Sequence, residues 1–203
     1  MARRCAPEFN MFAAARDETP DAVAALAALS SAVGERLFLM QAPEIMAPAG
    51  MSAVLRAKAV QLVATRPVRD AAAYEGVVVL GEADAAEMLA LAKLAEPGPF
   101  RQRTHEVGMF LGVRIEGRLA AMAGERFRFP GYTEISGVCT HPDFRGRGLA
   151  RRLSTAVAAG IEARGDQPFL HAWGTNRPAI ALYESLGFAP RTDVDVAVLE
   201  SVG

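Results

Sequence analysis

A glycine-rich turn between a strand-like run and a helix-like run is the part of this sequence best suited to chemistry. It consists of Thr140, His141, Pro142, Asp143, Phe144, Arg145, Gly146, Arg147, Gly148, Leu149 and Ala150. The first N–H groups of a helix have no partner within the helix, so they can bind an anion. Gly146 and Gly148 leave room for a ligand to approach them, and Arg145 and Arg147 can donate charge-assisted hydrogen bonds. The turn therefore predicts a pyrophosphate site.

Other phosphate-binding motifs fit the sequence less well. A Walker loop needs Gly-Lys followed by Ser or Thr, and both lysines, Lys58 and Lys93, follow alanines. A dinucleotide fingerprint would place a small residue where Arg151 stands, and the acidic Asp166 lies in a turn rather than at a strand end. The alternative without a ligand is a tight turn flanked by solvated arginines.

Strands and helices alternate around this turn. Predicted strands cover Val77–Leu80, Met109–Arg114, Leu119–Arg126, Tyr132–Thr140, Phe169–Trp173 and Val194–Leu199, and predicted helices cover Glu82–Leu94, Gly148–Arg164 and Pro178–Leu186. Antiparallel strands followed by strand–helix–strand units predict an α/β (α+β) fold, in which a mixed sheet carries helices on its faces.

The first part of the chain shows weaker patterns and no recognisable chemistry. We predict an alanine-rich helix over Asp21–Val33 and strands over Leu37–Met40 and Gln61–Thr65, separated by a Pro/Gly stretch. From Gly76 onward, the patterns of strands and helices alternate clearly. We therefore expect a mixed α/β region over residues 1–75, followed by the domain that carries the turn over residues 76–203.

Composition excludes several kinds of partner. A formal net charge of -1 provides no field that would attract nucleic acid or an anionic membrane. Two cysteines provide neither a disulfide framework nor a CxxC site, and three histidines without ligand spacing argue against a metal. Because the first apolar patch is cut by Arg16 and Asp17, it cannot be a signal-peptide core, so we expect a cytoplasmic protein.

Two motifs resemble the GNAT superfamily of acyl-CoA N-acyltransferases. The first comprises Arg145, Gly148 and Ala150 after a strand that ends in Thr-x-Pro, and the second comprises Asn176, Ala179, Leu182, Tyr183, Leu186, Gly187 and Phe188. The segments 103–106 and 134–142 resemble the FR47-like bacterial subgroup. The resemblance is strong from about Leu119 to Pro190. It implies a mixed, partly splayed central sheet, with residues 1–75 as a candidate degenerate half of the same fold.

The resemblance also implies acetyl-CoA as co-substrate, without a metal. Backbone groups of Val138 and Thr140 would pair with the pantetheine arm, and the Asn176 amide would contact it. The pyrophosphate would be held by Arg145, Gly146, Arg147, Gly148, Leu149 and Ala150. Tyr183 corresponds to a tyrosine that many relatives keep near the thioester sulfur.

Two residues are candidates for proton transfer. Amine acylation needs a free amine, and Glu134 is the candidate base because many relatives have a glutamate at the matching position. It precedes Thr140 by six residues, so strand alternation places both on one face unless a bulge intervenes. Tyr183 can return a proton to the departing thiolate. Cys139 is expected to face the packed interior.

The function predicted is transfer of an acetyl group directly to a primary amine of an unidentified small-molecule or peptide acceptor. His105, before the hairpin, and Trp173, at the end of the strand opposite Thr140, are candidate substrate contacts. The alternatives are a non-catalytic acyl-CoA-binding regulatory module and an N-acyltransferase that uses a longer acyl-CoA. Homodimerisation is common for this fold, so a homodimer is compatible with the sequence.

Overall fold

The computed structural model describes residues 1–30, 32–68 and 71–202. Its strands are β1 (Ala2–Arg4), β2 (Ala13–Ala15), β3 (Arg36–Gln41), β4 (Met51–Ala64), β5 (Val77–Leu80), β6 (Phe110–Ile115), β7 (Arg118–Phe129), β8 (Tyr132–Thr140), β9 (Gln167–Trp173) and β10 (Phe188–Ser201). Its α-helices are α1 (Pro20–Ala27), α2 (Ala85–Ala95), α3 (Leu149–Ala163) and α4 (Arg177–Ser185). Short 3-10 turns cover Ala71–Tyr74, Glu82–Asp84, Thr104–Glu106 and Pro142–Phe144.

Eight of these strands form one mixed sheet in the order β3-β10-β4-β9-β8-β7-β6-β5. The pair β8–β9 is parallel and is joined by α3, whereas the other neighbours in this sheet are antiparallel. β1 and β2 form a separate antiparallel pair. The predicted mixed sheet with helices is confirmed.

The sheet crosses the boundary expected after residue 75. β4 lies between β9 and β10 and pairs with both, and β3 pairs with the other edge of β10. The segments 36–64 and 77–201 therefore contribute strands to the same hydrogen-bonded sheet.

The helix that follows the glycine-rich turn is positioned by its apolar stripe. Leu153, Val157 and Ile161 of α3 recur every four residues and are each fully buried against the sheet. α3 ends before Gly165, whose φ of +87° closes the helix in a conformation that favours glycine. This packing fixes where the first turn of α3 points.

The two faces of the sheet carry different partners. We call the face covered by α3 and α4 the helix face; Val60, Leu62, Ile135 and Leu170 belong to its core. We call the opposite face the Phe12 face. One apolar cluster on it contains Phe12, Phe38, Ala59, Val194 and Val196. In a second cluster, α2 packs against strands of the sheet. Residues from both faces line the cavity where β8 and β9 stop pairing.

Candidate functional site

A gap opens in the centre of the sheet between β8 and β9. The two strands pair from Tyr132/Gln167 to Ile135/Leu170, and no further pairing follows along them. A cavity of about 680 Å³ lies at this gap. It is lined by side chains from both faces: Phe12, Phe38, Met40, Ala59, Glu96, Arg126, Ser136, Val138, Thr140, Arg145, Ala150, His171, Trp173, Asn176, Ala179, Leu182, Tyr183 and Val196, among others. Its size suits a small ligand.

A β-bulge in β8 creates the divergence. Met122 and Gly124 of β7 pair with Cys139 and Ser136, so β8 has one extra residue between these pairs. Gly137 within the bulge has φ of +64°, a left-handed conformation that favours glycine. The bulge bends β8 away from β9.

The bulge overturns the alternation on which the face of Glu134 was predicted. Ile135 and Val138 pack on the same, helix-face core, although strict alternation would separate them. Cys139 packs in the cluster with α2 on the opposite face. The extra residue therefore reverses the order of faces, and Glu134 and Thr140 lie on opposite faces of the sheet.

The helix-face half of the cavity contains most of the residues predicted to bind a coenzyme. Val138, Thr140, Arg145, Ala150 and Asn176 all line it. The Asn176 side chain also caps α4 by accepting a hydrogen bond from the Ala179 N–H at 3.2 Å. The strand end, the glycine-rich turn and the start of α4 are thus brought together at one mouth of the gap.

The glycine-rich turn leaves open space in front of the first turn of α3. Gly146 and Gly148 have φ of +77° and +73°. Beyond the adjacent residues, no heavy atom lies within 4 Å of where a Cβ would stand on either. Arg152 N–H donates to Gly148 C=O at 3.0 Å, so the preceding amides lie ahead of the helical ladder. Leu149 is buried and anchors this turn, while Arg147 lies over the Phe144 ring, 5.3 Å from its centroid. No side chain on these two glycines therefore covers the opening.

Glu134 is fully buried and is held by two basic side chains. Arg126 donates two hydrogen bonds to it, from Nε at 2.8 Å and from Nη2 at 2.5 Å, and His171 Nδ1 lies 2.7 Å from Oε1. Burial alone would raise the pKa of this carboxyl. The charge of Arg126 and the hydrogen bonds from His171 and Arg126 outweigh burial, so the pKa is lowered to about 2. Glu134 is ionised at neutral pH and does not itself line the cavity.

His171 stands between Glu134 and the cavity, and its neighbours determine its tautomer. Arg191 can only donate, so the Gln61 Oε1 that lies 2.6 Å from its Nη1 is an acceptor. The Gln61 amide nitrogen, 3.1 Å from His171 Nε2, must then be a donor. Nε2 therefore carries a lone pair and Nδ1 carries the proton that Glu134 accepts. In this tautomer Gln61 holds the unprotonated nitrogen of the ring.

Tyr183 and Cys139 both line the cavity, but only Tyr183 suits proton donation. Tyr183 lines the cavity, and burial raises the pKa of its phenol to about 12, so the hydroxyl keeps its proton. Cys139 is buried as expected, and burial raises the pKa of its thiol to about 12. A thiol that is rarely ionised is a poor nucleophile.

The Phe12-face half of the cavity has an aromatic wall that includes Trp173. Phe38 lies 4.9 Å from Phe12 and 6.3 Å from Trp173 between ring centroids, and Met40 lines the same cavity. The sequence patterns predicted Trp173 but not Phe12, Phe38 or Met40. One signal was available, because β3 is apolar at consecutive positions and such strands are buried on both faces.

His105 lies elsewhere and does not line the cavity. Its Nε2 is 2.8 Å from Glu82 Oε2, and ligand atoms of Glu82, His105 and Glu106 lie within 4.8 Å of one another. This grouping was not evident from residue spacing. Arg103 donates to both Glu106 oxygens, at 2.6 and 2.7 Å, so that carboxylate already has a cationic partner.

A mixed sheet split beside a glycine-rich helix start is the architecture of an acyl-CoA transferase of the GNAT type. Residues 110–196 match the family model of FR47-like proteins. A GNAT-family acetyltransferase structure from Novosphingobium aromaticivorans is 45% identical, covers 100% of this chain and 89% of its own, and superposes with a TM-score of 0.94. The chain belongs to the GNAT family of acetyltransferases.

Two curated relatives are mycothiol acetyltransferases. The one from Saccharomonospora viridis is 36% identical over 100 residues, which are 44% of this chain and 33% of the relative. The one from Thermobispora bispora is 45% identical over 64 residues, 31% of this chain and 21% of the relative. The chain thus aligns with a third or less of the length of these proteins. In the part of the chain that the structure describes, no helix is long and apolar enough to span a membrane.

Proposed function

We propose that the protein transfers the acetyl group of acetyl-CoA directly to a primary amine. The observation that supports this most is the continuity of the cavity, which runs from the glycine-rich turn on the helix face to the Arg126–Glu134–His171 cluster on the Phe12 face. A thioester held from one face would therefore meet an amine that enters from the other.

The coenzyme would be held by backbone groups on the helix face. The amides from Gly146 to Ala150 and the guanidinium of Arg145 would bind the pyrophosphate. Val138 and Thr140, on the unpaired stretch of β8, would pair with the pantetheine amides as a neighbouring strand does, with Asn176 beside them. The bend of β8 supplies the room that such pairing needs.

The acceptor's proton would leave by way of His171, with Glu134 as its positioning residue. The amine nitrogen adds to the thioester carbonyl carbon to form a tetrahedral intermediate, and the nitrogen must lose a proton. The C–S bond breaks when that intermediate collapses. His171 Nε2 takes that proton once the Gln61 amide turns away, and the Glu134 carboxylate stabilises the imidazolium through Nδ1. This replaces the direct role expected for Glu134, because its carboxylate does not line the cavity.

Tyr183 would donate a proton to the coenzyme A sulfur as the tetrahedral intermediate collapses. Its raised pKa, about 12, keeps the phenol protonated across the neutral range, so a donor is always present. The leaving thiolate thereby becomes a thiol, and solvent restores the phenol proton.

The first test is coenzyme binding followed by turnover. Titration with coenzyme A, followed by calorimetry and amide NMR, should shift the Gly146 and Gly148 resonances. Acetyl-CoA plus a panel of primary amines should then release free thiol. Binding without thiol release from any amine would identify a non-catalytic acyl-CoA-binding module instead. Competition among acetyl-, propionyl- and succinyl-CoA would reveal a longer donor.

The second test concerns Tyr183. Tyr183→Phe should lower kcat on the order of 100-fold, the lower end of what a positioned acid contributes, with little change in coenzyme affinity. Tyr132→Phe is the matched control, because Tyr132 is exposed on the same sheet and does not line the cavity. An unaltered kcat in Tyr183→Phe would remove Tyr183 from the mechanism.

A further inference from the structure

We propose that the acceptor amine is carried by an aromatic group, so that the substrate class is an arylalkylamine rather than a polyamine. This inference rests on the proposed function for the position of the reacting amine. It depends on three features of the Phe12-face half of the cavity: its aromatic wall, its shortage of carboxylates, and the polar cluster at the end nearest the gap.

The wall is built from rings that already pack edge to face. Phe12 and Phe38 meet at 66° with centroids 4.9 Å apart, and Phe38 and Trp173 meet at 60° with centroids 6.3 Å apart. Met40 and Val196 complete it. A further ring in this space would gain edge-to-face contacts, and methionine adapts to an aromatic neighbour.

Charges on the lining disfavour a polycation. Among the described residues that line the cavity, Glu96 is the one carboxylate, and it lies exposed at the end of α2. Glu134 is excluded from the lining and is neutralised by Arg126. The remaining charged groups, Arg126 and Arg145, are cationic. Away from the exposed Glu96, a second ammonium on the acceptor would therefore meet no carboxylate on the described lining and would lose its hydration.

The polar cluster lies beside the aromatic wall on the same face. The Arg126 guanidinium stacks 4.4 Å from the Phe12 ring centroid while it binds Glu134, and His171 lies on the same strand as Trp173. A single amine could therefore reach His171 while its aromatic group lies against Phe12, Phe38 and Trp173. One amine separated from one ring by a short linker matches this arrangement.

Binding can be measured without turnover, because Trp173 is the only tryptophan in the chain. We would titrate 2-phenylethylamine and 1,4-diaminobutane into the protein, with and without coenzyme A, and follow tryptophan emission. Burial of a phenyl ring predicts that 2-phenylethylamine binds about 10- to 100-fold more tightly than the diamine. Equal affinities, or no saturable change with 2-phenylethylamine, would overturn the inference.

A substitution on the wall should reverse this preference. Met40→Glu introduces a carboxylate among the rings. It should therefore weaken the binding of 2-phenylethylamine about 10-fold and strengthen the binding of the diamine. Met46→Glu is the control, because Met46 is exposed and lies outside the cavity. Coenzyme A affinity should be unchanged in both. If Met40→Glu does not fold, the wild-type titration still decides the question.

Kinetics separate this inference from the proposed function. With acetyl-CoA, kcat/KM should be higher for 2-phenylethylamine than for 1,4-diaminobutane by a similar factor. Efficient acetylation of the diamine alone would confirm an N-acetyltransferase and refute the aromatic acceptor. Tight binding of 2-phenylethylamine without acetylation would instead confirm the aromatic site and refute the proposed reaction.

Discussion

Glu134 shows how one buried carboxylate can organise the polar part of a site. Arg126, Glu134, His171, Gln61 and Arg191 form a continuous hydrogen-bonded chain across strands β7, β8, β9, β4 and β10. Each link specifies donor and acceptor for the next, so the chain determines which nitrogen of His171 is basic. A surface carboxylate could not impose that order, because water would compete for every bond.

Replacing Glu134 tests this chain through stability. Glu134→Gln leaves Arg126 without its anion and should cost roughly 3 kcal/mol at neutral pH, as expected when one partner of a buried pair is removed. The folded-state pKa, about 2, lies below the ordinary 4.5, so the unfolded chain binds more protons as pH falls. The carboxylate's contribution is therefore present above about pH 4.5 and is lost from there toward pH 2.

The measurement is urea unfolding at a series of pH values, followed by tryptophan emission. The difference in unfolding free energy between the wild type and Glu134→Gln should shrink as pH falls through that window. Glu75→Gln, at an exposed carboxylate, controls for simple loss of charge. A difference that stays constant with pH would mean that ionisation of Glu134 does not couple to folding.

Some residues of the site could be predicted from the sequence and others could not. The glycine-rich turn and Asn176 are local motifs, and their neighbours in sequence are also their neighbours in space. Arg126 and His171 were not predicted, because their role comes from a partner on an adjacent strand. One clue was available: a charged side chain within an apolar strand needs a buried partner.

At the scale of the element, the bulge in β8 determines the shape of the site. Without it, Val138 would face the same side as Glu134, and β8 could continue pairing with β9. Alternation along β8 predicted one face for Glu134 and Thr140 unless a bulge intervened, and this bulge is the reason that they lie on opposite faces. The glycine at position 137 was the available sign, since a glycine inside a strand marks a bulge or a close approach.

The length of one strand was also predicted wrongly. β4 begins ten residues before the predicted start, within alanine-rich sequence of low strand propensity.

Gly137→Ala tests the bulge. The left-handed conformation should cost about 1–2 kcal/mol for alanine, and its Cβ would lie 2.9 Å from the Phe110 ring, which adds roughly 1–3 kcal/mol of overpacking. Gly131→Ala is the control, because φ is +78° but no atom lies within 4 Å of the new Cβ. In thermal unfolding, Gly137→Ala should have a lower Tm than Gly131→Ala. Only Gly137→Ala should raise the KM for acetyl-CoA. Equal effects would contradict a role for the packed bulge.

At the scale of the whole molecule, the N-terminal part of the chain completes the sheet and the acceptor wall. β4 separates β9 from β10, two strands that are consecutive in sequence, and Phe12 joins the wall through a bridge to Phe38. The strand–helix alternation after Gly76 predicted the fold class, but it did not predict that β4 lies between β9 and β10. Pairing between strands more than 100 residues apart, such as Gln61 with His171, leaves no local trace in composition or periodicity.

This arrangement predicts that residues 76–203 do not fold alone. Without β4, β9 and β10 would each lose a neighbouring strand, and Leu170 would lose Leu62, its partner across the sheet. The fragment should therefore show a poorly dispersed amide spectrum and no coenzyme A affinity. Mixing it with a separate fragment of residues 1–75 should restore both, because the missing strand would be supplied in trans. A fragment 76–203 that binds coenzyme A by itself would show that β4 is dispensable, and the boundary expected from the sequence would then hold for folding even though the sheet crosses it.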